Sequence, residues 1–489
     1  MLSRAEVRLP RSTPEPQGVS SAAILEFVQA VERQIREVHS FMLLRHGSVI
    51  AEGWWSPYAP EHPHLMFSVS KSFTAMAVGL AIAEGRFTID DPVLPFFLDD
   101  APAEVSEHLA AMRIRDLLTM TTGHAVDTLA YMESRADGNW INAFFEVPVL
   151  HAPGTHFLYN TGATYLLSAI VERTTGLKQI DYLAPRLFAP LGIENARWQE
   201  SPQGIAIGGY GLSLTTEDLA KFGQLCLQEG QWQGKQLVSE AWVEAATRHQ
   251  VDNGDDPYRR DWTQGYGYQF WRSRHGTYRC DGVFGQFCIV MPEKDAVLVI
   301  TAGTDIFDGQ QVLDLVWDHL LPAMHSEPLP DDAVNQQALA DKSEGLSLLP
   351  INTNVSAATA AQVSGRTYQV DDNALGLEAL TLDFTATGCD IRCKTAQDDE
   401  SFACGYGVWQ HSRTTLFNDR RWMSDAPAAV AVCGTWITED SFEMIVRLYE
   451  TPFYHTLRYH FVGDELLIES CVNVSMESTK PQMMTARWV

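Results

Sequence analysis

The chain alternates between long apolar runs and polar, turn-rich stretches, and the spacing inside each run sorts the runs into helices and strands. Over residues 21–38 apolar positions recur every three or four residues, which predicts a helix with one buried stripe. The run over 40–54 is interrupted at His46-Gly47 and reads as a β-hairpin. Residues 73–83 are apolar nearly all round, so a helix there belongs in a core rather than on a surface. The stretch 90–206 reads as a helix-rich insertion, with an amphipathic helix over 163–174 closed by Gly176. Strand signals return at 266–271 and over 278–301, where Gly282–Gly285 and Glu293–Asp295 supply the turns. With a further helix over 312–321, the pattern predicts one antiparallel sheet covered by helices. The cleft between sheet and insertion is the expected ligand site.

Beyond residue 325 the pattern changes. Residues 326–364 are rich in Pro, Asp, Ala, Ser and Asn with little periodicity, and read as a linker. After it, 379–393, 429–437, 442–449, 454–461 and 465–472 read as strands, with a hairpin turn at Val462-Gly463-Asp464. The expected organisation is therefore α+β: a domain over 1–325, a linker over 326–364, and a small antiparallel barrel or sandwich over 365–489. Capping of the cleft, pairing of subunits into a homo-oligomer, and passive packing are all open roles for the last domain.

Chemistry enters at Ser68-Val69-Ser70-Lys71, the one Ser-x-x-Lys of the chain, placed just before the apolar helix. Three positions apart on a helix, the two side chains share a face. A lysine amine can then reach the serine hydroxyl and activate it without a histidine. The positive end of the helix disfavours an ammonium there, and its N–H groups can hold an oxyanion. The same four residues also fit a capping serine with a lysine snorkelling to solvent. Further along, Pro153-Gly154 marks a turn, and Tyr159 sits in the short connection that enters the next helix.

Ser68-x-x-Lys71, then Pro-Gly-Thr-x-Phe-x-Tyr159-Asn160-Thr161, then Cys280-Asp281-Gly282 before a strand resemble the three motifs of the class C β-lactamase-like serine hydrolases. That superfamily includes penicillin-binding peptidases, type VIII esterases, D-aminopeptidases and 6-aminohexanoate-oligomer hydrolases. The resemblance extends to 117–124 and 208–224 and covers about two thirds of the chain. It implies a β-lactamase-like fold and an acyl-enzyme on Ser68. It further implies Lys71 and Tyr159 as the proton-transfer pair, an oxyanion hole from the Ser68 and Val283 backbone N–H groups, and Thr161, Asn160, Cys280, Asp281 and Gly282 against the substrate. It also implies a β-barrel appendage of the kind some of these peptidases carry. Two departures stand out. Cys280-Asp281-Gly282 replaces Lys-Thr-Gly, which removes the cation that meets a β-lactam carboxylate. Thr161 stands where asparagine is usual, with Asn160 one place earlier. Both argue against β-lactamase activity and leave ester or amide hydrolysis intact. A penicillin-binding or sensing protein that acylates without turning over, a true β-lactamase and a D-amino-acid peptidase are the alternatives.

Composition narrows the setting. The 489 residues suffice for two or more domains. A net charge of −27 and a pI near 4.8 argue against nucleic-acid or anionic-membrane partners. No apolar run reaches the length of a membrane span, and the N-terminal stretch lacks the apolar segment of a secretory signal, so a cytoplasmic location is expected. The eight cysteines show neither zinc nor disulfide spacing. His62-Pro63-His64 lacks further ligands nearby, so neither a metal nor another cofactor is expected. Trp262, Tyr266, Tyr268 and Trp271 fit either the lining of the cleft or the core. The expected partner is a small ester or amide.

Overall fold

A computed structural model describes residues 8–348, 358–396, 398–419 and 421–489. The first seven residues, part of the stretch read for a signal, and residues 349–357 of the linker stretch lie outside these. The chain divides into two compact units. One holds the chain up to Gly53 with Leu65–Ala302 and Ile306–Glu344; the other holds Trp54–His64, Gly303–Asp305 and the chain from Gly345 onward.

The first unit is α+β. Helix α1 (Ser21–Gln34) turns Ile24, Phe27, Val28 and Val31 inward, as their three- and four-residue spacing demands. It ends before residue 38, because Val38 opens a strand. Strands β1 (Val38–Arg45) and β2 (Ser48–Trp54) are joined through His46 and Gly47, both with positive φ (48° and 75°). That pair of left-handed residues matches the twist of a tight hairpin. After the helical region come β3 (Trp271–Arg272), β4 (Tyr278–Gly282), β5 (Gln286–Met291) and β6 (Ala296–Ala302). They form a six-stranded sheet in the order β2-β1-β6-β5-β4-β3. Central β1 and β6 are buried along their whole length and pair antiparallel, with Met42 opposite Val299 and Leu43 opposite Leu298. Of the run read as a strand over 266–271, only Trp271 is extended in the sheet. Gln269 takes a φ of 64°, which breaks the extended backbone.

The helical layer is built around α2 (Ser70–Ala83), against which α3 (Thr161–Thr175) packs. Phe73 of α2 stacks on Phe222 of α4 (Thr216–Leu227) at 3.8 Å between ring centroids. A Cβ on Gly79 would lie 2.2 Å from the Trp242 indole, which donates to Ala75 O, so the glycine lets that ring lie on the helix backbone. Short helices occupy much of the insertion between α2 and α3.

Part of the stretch read as linker is helical. Helix α5 (Ala333–Glu344) packs on α1 and pairs Lys342 with Glu32, while α6 (Ala358–Val363) belongs to the second unit. In α5 only Leu339 is buried, so no apolar stripe betrays the helix in the sequence.

The second unit is a closed β-barrel. Its strands are β7 (Thr367–Val370), β8 (Leu377–Phe384), β9 (Gly388–Thr395), β10 (Asp399–Tyr406), β11 (Gln410–Thr414), β12 (Ala428–Trp436), β13 (Ser441–Arg447), β14 (Tyr454–Val462), β15 (Glu465–Val472) and β16 (Gln482–Trp488). Their order is β10-β9-β8-β7-β16-β15-β14-β13-β12-β11. The ring closes where β10 meets β12 in parallel, Gly405 opposite Cys433 and Tyr406 opposite Gly434. The run read as one strand over 379–393 is two, because Thr385 N–H bonds Gly388 O and turns the chain. Strands β10 and β11 were hidden in sequence by their Asp, Glu, Ser and Gln, residues that strands disfavour or leave unmarked. No helix among the described residues is long and apolar enough to cross a membrane.

Candidate active site

Ser68 lies in a single 3₁₀ turn, Phe67–Val69, that runs directly into α2. The turn is pinned by Ser70, whose Oγ donates to Phe67 O at 2.6 Å and accepts the Leu212 N–H at 3.1 Å. Phe67 is held at a φ of 48°, a conformation that costs a bulky residue energy and marks a site where the surroundings dictate the backbone.

One turn on, Lys71 is enclosed, with 1% of its surface exposed. Its Nζ lies 3.2 Å from Ser68 Oγ, donates to Gly209 O at 2.8 Å and reaches Thr161 Oγ1 at 3.4 Å. Burial lowers its affinity for a proton from the ordinary 10.5 to about 7, against an opposing pull from the Asp127 carboxylate. The amine is thus substantially neutral at physiological pH. The expectation of a snorkelling lysine does not describe this side chain.

Tyr159 occupies the connection into α3, and its hydroxyl lies on the Ser68 side chain closely enough to feel it. Its ring stacks on Trp271 at 5.3 Å, sits edge-on to Tyr266 at 6.3 Å, and carries the Lys71 Nζ 4.9 Å from its centroid. Burial pushes its phenol well above the ordinary range, and the nearby Asp281 and Asp127 push the same way. Ser68, Lys71 and Tyr159 therefore converge, with a neutral phenol and an easily neutralised amine on either side of the serine.

The remaining sequence-predicted residues divide. Thr161 is beside Lys71, and its backbone N–H donates to Asp127 Oδ1 at 2.9 Å. Asn160 is fully buried and faces its own helix: its Oδ1 caps α3 by accepting Gly162 N–H at 3.1 Å and also accepts Thr128 Oγ1–H at 2.8 Å. Strand alternation sends Cys280 and Asp281 to opposite faces. The Cys280 thiol meets Cys288, its cross-strand partner, and Cys226 of α4. Asp281 is bound by Arg279 Nε at 2.9 Å, and burial raises its carboxyl despite that partner. Arg279 is fully buried, stacks over Trp262 at 4.4 Å and donates to Asp261 O at 2.6 Å; its Nη2 has no hydrogen-bond partner. Gly282 is crowded from the Ser68 side, since a Cβ there would come 2.4 Å from Met66 O. Val283 follows in the β4–β5 turn, its carbonyl accepting Gln286 Nε2 at 3.3 Å, and the next residue, Phe284, has a φ of 67°. The rings of Phe67 and Phe284 meet edge-to-face at 5.4 Å, so the two strained residues brace one another beside Ser68 and Val283.

Two participants carried no motif signal of their own. Asp127 lies in an unremarkable loop, and Gly209 acts through its backbone carbonyl, so neither is visible without the fold. Of the aromatic cluster, Tyr266 and Trp271 flank Tyr159, whereas Tyr268 packs on Trp242. Among the described residues, no group of three or more His, Cys, Asp or Glu side chains is disposed to hold a metal ion.

The chain resembles proteins already known. The sequence profile of the Beta-lactamase family matches residues 26–320. The 6-aminohexanoate-dimer hydrolase of Paenarthrobacter ureafaciens is 27% identical over 309 residues, covering 59% of this chain and 79% of that protein. The D-aminopeptidase of Brucella ovis is 27% identical over 169 residues, 32% of this chain and 31% of that protein. Among solved structures, a candidate 6-aminohexanoate-dimer hydrolase from Bacillus anthracis superposes with a TM-score of 0.53 at 20% identity, over 66% of this chain and 89% of that one. Because the family profile spans more than half of its length, the chain belongs to the beta-lactamase family, and it is a hydrolase of that superfamily.

Proposed function

We propose that this protein is a serine hydrolase that opens small ester or linear amide bonds through an acyl-enzyme on Ser68. The observation that carries this reading is the Lys71 amine, buried, 3.2 Å from Ser68 Oγ and with its proton affinity lowered to about 7. Ser68 Oγ attacks the substrate carbonyl carbon while its proton passes to neutral Lys71 Nζ. The carbonyl oxygen takes the negative charge, held by the Ser68 and Val283 N–H groups. As the tetrahedral intermediate collapses, the Tyr159 phenol gives its proton to the departing amine or alkoxide and is recharged from the Lys71 ammonium. Water then enters, loses a proton to the same base and releases the acid, restoring Ser68.

The substrate class follows from the charges around the serine. Cys280-Asp281-Gly282 brings no cation of its own, and the charge of the adjacent Arg279, which is fully buried, is offset by Asp281. A buried carboxylate without its own partner is costly, and losing one charge-assisted bond costs about 1.5–3 kcal/mol, roughly ten- to a hundredfold. Neutral esters and amides escape that cost. The relationship to a 6-aminohexanoate-dimer hydrolase favours linear amides within that class.

A fluorophosphonate probe followed by mass spectrometry should place the adduct on Ser68, and Ser68→Ala should abolish turnover with the fold intact. On one preparation, kcat/KM for an aryl acetate and for linear amide dimers should exceed that for a chromogenic cephalosporin by at least tenfold. Labelling elsewhere overturns the nucleophile; faster cephalosporin turnover overturns the substrate class. A stoichiometric burst without steady state would show a sensor instead.

A further inference from the structure

Asp127 is a carboxylate whose charge is felt at both Lys71 and Tyr159. The loop that carries it is held from two sides. Its Oδ1 accepts the Leu129 N–H at 3.0 Å, at the head of the short helix Leu129–Glu133, and the Thr161 N–H at 2.9 Å, at the head of α3. These bonds fix the carboxylate beside Thr161, whose Oγ1 lies 3.4 Å from Lys71 Nζ. Ser68, Lys71, Thr161 and Asp127 therefore form a continuous run of contacts. The run opens to solvent at its Asp127 end, since Asp127 is only half-buried and the preceding Ala125 and Val126 are exposed.

The fold uses one of the two carboxylate oxygens. An ionised carboxylate offers about four acceptor positions, and both bonds that Asp127 accepts among the described residues fall on Oδ1, leaving Oδ2 open. An asparagine would accept the same two N–H groups without a charge, so the turn alone does not call for aspartate. For a neutral substrate the charge is a burden. It opposes the oxyanion that forms when Ser68 attacks, and it favours the protonated form of the amine that must act as base. Asp281, the other carboxylate felt at Tyr159, is already paired with Arg279. A cation on the substrate would offset both burdens. A primary ammonium would in addition donate a charge-assisted hydrogen bond to Oδ2.

We propose that Asp127 is a specificity residue of the Ser68 site, its open Oδ2 receiving a primary ammonium that the ester or amide substrate carries a few bonds from the scissile carbonyl. This inference rests on the Ser68 reading and narrows its substrate class. When the ammonium docks, the negative charge next to Lys71 is neutralised, and the amine sheds its proton at lower pH. The substrate thus helps to prepare its own base. The acid end of the substrate range is disfavoured for the converse reason, because a carboxylate in the same place would meet Asp127.

Two series of aryl esters test this on the full chain. One is phenyl acetate with a para aminomethyl, ethyl or carboxymethyl group on the leaving phenol; the other is phenyl benzoate with the same three groups on the acyl ring. The members of a series match in shape and differ in charge, and rates are divided by those of hydroxide-catalysed hydrolysis. In at least one series kcat/KM should be at least tenfold higher for the ammonium than for the ethyl member, and lowest for the carboxylate. Asp127→Asn, which keeps an acceptor for both backbone N–H groups, should abolish that difference. It should also move the acid limb of kcat for the ethyl ester to lower pH, a displacement that a merely structural loss does not produce. If Asp127→Asn does not fold, Asp127→Ser carries the same comparison. Equal rates for ammonium and ethyl members in both series, or a preference that survives the variant, would overturn the proposal and leave the Ser68 reading standing. No turnover of any member, with no fluorophosphonate adduct on Ser68, would remove both.

Discussion

At the scale of single residues, the site depends on a lysine kept where an ammonium is unstable. Lys71 is neutral in the folded chain above about pH 7 but binds its proton up to about 10.5 when unfolded. Between those values the unfolded state holds more protons, so this group's contribution to stability falls as pH drops from 10.5 to 7 and is level below. At neutral pH that costs roughly 4–5 kcal/mol, part of which the bond to Gly209 O offsets. Lys71→Met should therefore abolish turnover yet raise stability by about 1–4 kcal/mol at pH 7, after roughly 1–3 kcal/mol for lost hydrogen bonds. The gain should shrink toward pH 10 in denaturant titrations. In the wild type, acylation should rise with pH through about 7 and level off, because the neutral amine is the base. Ser68 and Lys71 were legible because their spacing is itself the chemistry. Asp127 was not, because its influence on Lys71 comes from proximity across a loop and leaves no local pattern.

At the scale of elements, α3 shows how a motif residue can serve structure. Asn160 directly follows Tyr159, and its carbonyl caps α3 while holding Thr128, so it fixes where the helix starts and where the phenol is carried. An asparagine at the head of an amphipathic run is itself a capping signal. The family motif drew attention to substrate contact instead. Asn160→Ala should cost about 2 kcal/mol, combining a lost cap and an orphaned Thr128 hydroxyl. It should also lower kcat more than it raises KM, by loosening Tyr159; thermal unfolding and steady-state kinetics on the same variant would check both. The strand motif teaches a similar point: period-two alternation shows that Cys280 and Asp281 cannot both face one cleft. The helix α5, by contrast, was beyond sequence reading, since a single buried leucine defines no stripe.

At the scale of the molecule, the two units interleave along the chain. Trp54–His64, the segment that precedes Ser68, belongs to the second unit, where Tyr58 donates to Thr451 O at 3.2 Å and Ser56 N–H bonds Leu346 O at 3.1 Å. A linear division at residue 325, natural from composition, separates that segment from its partners. A fragment of residues 1–325 should consequently be poorly soluble and label with fluorophosphonate at under a tenth of the full chain's level, with co-expression of 326–489 restoring labelling. Composition can show where the text of a chain changes, but not that an early loop is recruited by a later domain.

The barrel's closure is narrow for its consequence. Two residue pairs join β10 to β12, and both glycines there are constrained: a Cβ on Gly405 would come 2.5 Å from Val408 O, and one on Gly434 would come 2.6 Å from Phe442. An open sheet of this size would present the β10 edge as a row of unpaired N–H and C=O groups, able to recruit a strand from another chain. By joining β10 to β12 at Gly405 and Tyr406, the seam takes that end of the edge out of reach. A few ångströms of space reserved by two glycines therefore bear on whether molecules stay apart in a crowded solution, a property that belongs to the population of chains rather than to any one of them.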